Sequence, residues 1–275
     1  MAKNPIPATS PLQSRCPLRK RYRALSALPC CNEFDSLPET LKSLEKTAPR
    51  HYGETLIIVN VNQRDSMDRQ DNQATLDWLQ KFDTPLQLAW LDHVNGGAAY
   101  PEKFGVGLAR HQACSSGLPM VDDEAPVISL DADSPVNPNY LAAIFTHLRE
   151  NSDFKAGHVN FRHRHCGNET EKQAIQLYEQ HLHQHRQRLK EANSPHAWYA
   201  IGSTIVCKKE AYIKAGGFNC RRMAGEDFYL LQQLIGHLAG LFNLIPSVTI
   251  LTPVLALLAA AVVAQYWHGF RRRKS

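Results

Sequence analysis

Apolar residues in this chain come in short bursts separated by polar stretches. Ala24 to Pro29 is one burst, and the proline stops it. Thr55 to Val61 (Thr-Leu-Ile-Ile-Val-Asn-Val) is a second, almost uninterrupted. Leu86 to Leu91 and Val127 to Leu130 follow. Short runs that are apolar on both faces suit strands of a parallel sheet, which is covered on both sides. Between the bursts the period lengthens to that of a helix. Leu37, Leu41 and Leu44 share one helical face, behind Ser36, Pro38 and Glu39, which read as a capping box with proline in the first turn. Further helices are predicted around Gln73 to Phe82 and Leu108 to Cys114. Strand and helix alternating at this rhythm predict βαβ units.

Beyond the fourth burst the pattern predicts a helix over Asn139 to Leu148 and a strand over Lys155 to Phe161. A long polar helix is expected from Glu169 to Ala192. Trp198 to Asn219 reads as a strand and a short helix, with Gly216-Gly217 as a helix stop. A last helix opens at Glu226-Asp227. The fold class is therefore α/β, a mostly parallel sheet flanked by helices, followed by a C-terminal hydrophobic segment.

The ends differ from the middle. Residues 1–22 carry Arg15, Arg19, Lys20 and Arg21, with three prolines before Cys16, and read as a flexible basic tail, not as a signal peptide. Residues 23–236 form the folded domain. Residues 237–275 form a hydrophobic tail with a basic end. From Leu238 to Trp267 no residue is charged, and Val248 to Val263 is strongly apolar. Pro246 and Pro253 interrupt it, and Tyr266-Trp267 resemble interfacial aromatics. About thirty residues are short for two spans of ~20 each, and a single span would separate the domain from Arg271 to Lys274. An interfacial or re-entrant segment on the cytoplasmic face of the membrane is the favoured expectation, with a true span or a buried amphipathic helix as the alternatives.

The formal net charge is +5, yet most of it lies in the two terminal clusters. The body is near neutral, which argues against a nucleic-acid-binding face and for tails near an anionic surface. The seven cysteines include no Cys-x-x-Cys pair, and reduced thiols of a cytosolic protein account for them.

Candidate chemistry centres on Val127-Ile-Ser-Leu-Asp-Ala-Asp-Ser-Pro-Val136. Asp131 and Asp133 end a strand, and Ser134-Pro135 prevents its continuation. Carboxylates at this spacing can face the crevice where open α/β sheets bind ligands. Such a pair suits Mg²⁺ or Mn²⁺; the plainer reading is a turn cap. Upstream, Gly105 and Gly107 with Lys103 and Arg110 could contact a diphosphate or make an ordinary loop-to-helix turn. His163, His165, Cys166, His181, His183 and His185 lack metal-site spacing and fit a solvated, acceptor-facing surface better than zinc. Gly225-Glu226-Asp227 places carboxylates in the first turn of a helix, where the dipole favours them with or without a function.

Taken in order, these motifs resemble glycosyltransferase family 2, the nucleotide-sugar glycosyltransferases with the GT-A fold. The resemblance spans about Arg23 to Leu234. It rests on Pro29-Cys-Cys-Asn32-Glu33 after the first strand, Asp131-Ala-Asp133, Gly202-Ser203, Gly216-Gly217-Phe218 and Gly225-Glu226-Asp227. It implies that Pro29, Asn32 and Glu33, with Asn60, Asn62 and Arg110, bind the donor. Asp131 and Asp133 would hold Mn²⁺ or Mg²⁺ and, through it, the donor diphosphate. Asp227 would be the general base, oriented with the acceptor by Glu226. The implied activity is inverting, metal-dependent transfer of a sugar from a nucleotide-diphosphate donor to a hydroxyl of a glycan or lipid-linked acceptor.

Two departures stand out. Asn60-Val-Asn62 occupies the place where the family carries acidic residues, with Asp65 as a possible substitute. The Gln-x-x-Arg-Trp motif of processive synthases is missing. Two other readings compete. A sugar-phosphate nucleotidyltransferase shares the core but would want a Gly-rich basic loop after the first strand. A membrane-associated scaffold would keep the fold without catalysis.

Overall fold

The structure is a computed structural model that describes residues 6–164, 168–221, 224–238 and 242–252. Its strands are β1 (Leu12–Gln13), β2 (Ala24–Cys30), β3 (Thr55–Asn62), β4 (Gln87–His93), β5 (Pro126–Ser129), β6 (Ala156–His163), β7 (Ile205–Lys208) and β8 (Phe242–Thr252). Its helices are α1 (Leu37–Glu45), α2 (Pro49–Tyr52), α3 (Gln70–Lys81), α4 (Val106–Gly117), α5 (Tyr140–Glu150), α6 (Glu169–Glu191), α7 (Lys209–Lys214) and α8 (Glu226–Leu238). All strands join one sheet in the order β1-β4-β3-β2-β5-β7-β6-β8.

The centre, β4-β3-β2-β5, is parallel. Strand β7 pairs antiparallel with both β5 and β6, and β8 runs parallel to β6. The alternation along β3 explains the continuous apolar run. Ile57, Val59 and Val61 pack on one face with Leu41 and Leu44 of α1, Leu76 and Leu79 of α3, and Leu141 and Ile144 of α5. Leu56 and Ile58 pack on the other with Ala113 and Cys114 of α4, Ala211 of α7 and Leu234 of α8. Both faces are buried, so both parities of the strand must be apolar.

This order fixes where a ligand can sit. The chain builds β2, β3 and β4 to one side, then returns to place β5 on the other side of β2. A crevice opens at such a reversal, beyond the carboxyl ends of β2 and β5.

Three expectations need amendment. The amino-terminal segment is not a free tail from Ile6 onward. Strand β1 pairs antiparallel with β4, Gln112 donates to the carbonyls of Pro7 and Ala8, and Trp90 Nε1 donates to Gln13. The segment covers the β4 edge, which would otherwise present unpaired backbone groups. The capping box does not form, since Ser36 makes no side-chain cap. The amides of Ser36 and Leu37 go to the Glu33 carbonyl, and both Glu39 oxygens accept from Arg164 at 2.7 Å. Finally, Phe242 to Thr252 continues the sheet as β8, so the sheet takes up the first part of the uncharged segment. Most of that segment, with the basic end, lies outside the described residues. Among the described residues no helix is long and apolar enough to cross a membrane.

Candidate active site

The loops after β2 and β5 supply the first two parts of the site. Leu25 and Ala27 of β2 stand in register with Val127 and Ser129 of β5, so the two carboxyl ends are level. After β2 the backbone turns sharply at Asn32, whose φ of 56° is tolerated by Asn far better than by most residues. Asn72 of α3 holds that turn, accepting from the Asn32 amide at 2.8 Å and donating to its side-chain oxygen at 2.9 Å. The clamp turns Glu33 into the crevice. After β5, Ala132 packs into the core while Asp131 and Asp133, on either side of it, are half-buried at the cleft.

Helix α4 supplies the third part. Arg110 is 3% exposed and lies between the other elements. Its Nε donates to Glu226 Oε1 at 2.9 Å, its Nη1 to Ser129 Oγ at 2.7 Å, and its Nη2 to Asp131. The Phe218 ring lies 5.7 Å from the guanidinium carbon. Helix α8 supplies the fourth part. It begins after Gly225, whose φ is 73°, and presents Glu226 and Asp227 from its first turn.

Negative charge is in excess here. Glu33, Asp131, Asp133, Glu226 and Asp227 line one cleft of about 560 Å³ with Arg110 and Arg64. Arg110 is already committed to Asp131 and Glu226. Burial, then repulsion from Asp133, pushes the Glu33 carboxyl up to about 7. Burial and Asp131 push Asp133 up to about 6. Burial and Glu226 do the same to Asp227, also to about 6. For Arg110, burial pulls downward but Asp131 and Glu226 more than offset it, so the guanidinium stays charged.

Crowded carboxylates of this kind fit a hard divalent cation. No cluster of three or more His, Cys, Asp or Glu able to hold a metal exists among the described residues. An ion at Asp131 and Asp133 would therefore need phosphate oxygens and water to complete its shell, as Mg²⁺ and Mn²⁺ commonly do. The described histidines have other partners: His163 Nδ1 lies 3.0 Å from Glu179 Oε1, and His183 Nδ1 lies 2.6 Å from the Tyr199 hydroxyl. His165 and Cys166 lie outside the described residues.

Of the residues singled out in the sequence, Pro29, Glu33, Asn62, Arg110, Asp131, Asp133, Glu226 and Asp227 line this one cleft. Asn32 and Asn60 do not. Asn32 serves the turn just described. Asn60 is fully buried and donates to the Tyr100 hydroxyl at 3.1 Å and the Ala109 carbonyl at 2.9 Å, fastening α4 to β3. Asn62 donates to the carbonyls of Cys30 and Asn60 at 3.0 and 3.1 Å, which leaves its amide oxygen as the acceptor it can offer. Arg64 and Tyr178 line the cleft without having been singled out, and His163, weighed with the other histidines for an acceptor-facing surface, lines it too. No motif marks Arg64 or Tyr178: Arg64 lies in a polar loop, and Tyr178 comes from a mostly exposed helix, α6.

The sheet order and the four-part crevice are those of the GT-A fold. No protein-family model matches the chain, and no curated protein matches it in sequence. Solved structures do match. The Staphylococcus aureus protein TarS, as residues 1–349 in complex with UDP-GlcNAc, superposes with a TM-score of 0.56 at 15% identity. That match covers 84% of this chain and 58% of the other. The same fragment in complex with UDP gives a TM-score of 0.53 at 14% identity, covering 84% and 60% of the two chains. A longer TarS structure gives 0.52 at 14% identity, covering 84% and 37%. The chain thus spans less than two thirds of the structures it resembles.

Proposed function

We propose that the protein is a nucleotide-sugar glycosyltransferase, metal-dependent and inverting, that transfers a sugar to a hydroxyl of a glycan or lipid-linked acceptor. One observation carries the reading. Carboxylates from the end of β5 and from the start of α8 converge on a single cleft at the sheet's switch point, bridged by one buried arginine. The likeness to structures that hold UDP-GlcNAc and UDP supports a uridine nucleotide as the first donor to try.

In this reading Asp131 and Asp133 hold Mn²⁺ or Mg²⁺. When bound, the ion supplies positive charge to the departing nucleoside diphosphate. Pro29, Glu33 and Arg64 border the nucleoside end, and Asn62 offers its amide oxygen to a base N–H. Asp227 accepts the proton of the acceptor hydroxyl. As its oxygen bonds to the anomeric carbon, the bond from that carbon to the phosphate oxygen breaks, and the electron pair leaves with the diphosphate. A carboxylate held near pKa 6 is mostly ionised at neutral pH yet basic enough to take that proton. A single displacement inverts the anomeric centre and needs no covalent nucleophile. The uncharged tail and Arg271 to Lys274 support association with the cytoplasmic membrane surface, where nucleotide sugars are made available.

Calorimetric titration of the protein with UDP-, GDP- and dTDP-sugars, with and without Mn²⁺, tests the reading. Binding of one donor only with metal is expected. Failure to bind any of them would sink the transferase reading and favour a scaffold of the same fold.

A further inference from the structure

We propose that Arg110 is a positioning residue that transmits donor binding to the acceptor base, a role that rests on the transferase reading above. The sequence suggested a direct contact with the donor diphosphate. The geometry gives Arg110 other work, since Nε, Nη1 and Nη2 each donate to a protein group. Those groups belong to separate stretches of chain. Ser129 and Asp131 lie at and just beyond the end of β5, Glu226 opens α8, and Arg110 itself sits in α4.

The guanidinium has little freedom to leave this arrangement. Its side chain is 4% exposed, and that of Glu226 is 5% exposed. Phe218 covers it at 5.7 Å, and Gly202 backs it so closely that a Cβ there would lie 2.5 Å from Nη2. Three motifs distant in sequence thus converge on one side chain: Gly202-Ser203, Gly216-Gly217-Phe218 and Glu226-Asp227.

One positive charge is shared by two carboxylates of unequal exposure. The Asp131 side chain is 31% exposed and reaches the cleft, whereas Glu226 is enclosed. Whatever draws the Asp131 carboxylate toward a bound cation weakens its hold on Nη2. The guanidinium is then left to Glu226, and the shorter-range attraction draws the first turn of α8 inward. Asp227 is the next residue in that turn. Occupation of the donor end therefore fixes the base before an acceptor arrives, and the coupling runs equally in reverse.

Hydrogen exchange of the α8 first turn, residues 226–230, in the full 275-residue chain with and without Mn²⁺ and UDP provides the test. In the wild type, saturating Mn²⁺ with UDP should slow exchange of these amides about fivefold or more. Arg110→Lys combined with Glu226→Gln keeps one cation beside Asp131 but cuts the bridge. It should still bind Mn²⁺ and UDP while losing the slowing. Glu226→Gln alone keeps the hydrogen-bond geometry without the charge, and should lose at least about half the response on the same scale. Equal slowing in wild type and variants overturns the inference, as does binding to the wild type without slowing. Loss of binding in both variants would make Arg110 a binding residue and overturn the positioning role. A wild type that binds no Mn²⁺ and UDP refutes the donor reading and the inference with it, and calorimetry separates that outcome from the others.

Discussion

Gly202 leaves the space that Arg110 fills: a Cβ at that position would lie 2.5 Å from Arg110 Nη2 and 3.0 Å from its guanidinium carbon. Neither partner can readily yield, because the guanidinium is held on its other sides by Ser129, Asp131 and Glu226. Gly202→Ala should therefore cost about 1–3 kcal/mol of stability, the range for overpacking a filled site. It should also weaken Mn²⁺-dependent UDP binding. Urea unfolding and calorimetry check the two effects, and a fully stable variant would mean that the arginine has room to move.

Asp131 and Asp133 look equivalent in sequence but differ in their partners. Asp131 accepts from Arg110, whereas Asp133 is hydrogen-bonded by Ser134 and repelled by Asp131. Either change to Asn should abolish metal-dependent donor binding. Their effects on folding should differ. Asp131→Asn takes charge from a buried ion pair and should destabilise by about 1–3 kcal/mol, discounted for the partial exposure of Asp131. Asp133→Asn removes a repelled carboxylate and should leave stability at pH 7 unchanged or raised. Two denaturation curves decide this, and matching losses would contradict the asymmetry.

Asp227 makes a prediction about pH. Its folded pKa is about 6, raised from 3.8, so the folded state binds the proton more tightly than the unfolded chain does. The stabilisation from protonation is full below about 3.8 and is lost as pH rises through about 6. Asp227→Asn escapes that loss. It should match the wild type near pH 3.5 and exceed it by about 1–2 kcal/mol at pH 8, after a discount for solvent screening. Transfer should disappear in the variant while donor binding survives. Wild-type transfer should climb with pH through about 6 and then level. Transfer by Asp227→Asn at the wild-type rate would remove Asp227 from the base role.

The amphipathic record made the parallel centre of the sheet legible, because β2, β3 and β5 are buried on both faces and had to be written as apolar runs. The carboxylates of the cleft were legible for a different reason: Asp131 and Asp133 follow the end of a strand, and Glu226 and Asp227 open a helix, each at a recognisable break in pattern. Arg110 was visible only as a basic residue near glycines. Its bridge joins residues 116 positions apart, and nothing local in the sequence encodes that distance. Tyr178 was hidden by the polar character of α6, and His163, at the end of β6, was weighed only among the histidines. The amino-terminal segment was misread because its anchoring comes from backbone pairing and single hydrogen bonds to β4 and α4, which carry no compositional signature. Asn32 and Asn60 have local structural duties that a motif comparison cannot distinguish from ligand contacts.

Asn62 permits a prediction that runs against the family resemblance. That resemblance would restore a carboxylate in the region of Asn60-Val-Asn62 to recognise the base. Here the Asn62 amide donates to two main-chain carbonyls, those of Cys30 and Asn60, at 3.0 and 3.1 Å. Asn62→Asp would replace both donors with an anion facing two carbonyl oxygens in a site that is 5% exposed. Losing the bonds and leaving buried acceptors unsatisfied should cost about 2–4 kcal/mol. The carboxyl would answer by taking up a proton or by turning toward the cleft, adding to the repulsion that already raises Glu33. The variant should unfold at lower urea concentration and bind UDP no more tightly than the wild type. Asn62→Ala separates the two contributions. It should share the loss of stability but lack the added charge, so Asn62→Asp should be the less stable of the pair at pH 8 and approach Asn62→Ala near pH 4. An Asn62→Asp protein that is stable and binds UDP more tightly would show that β3 accepts a carboxylate there, and that the amide is not fixed by its two carbonyl partners.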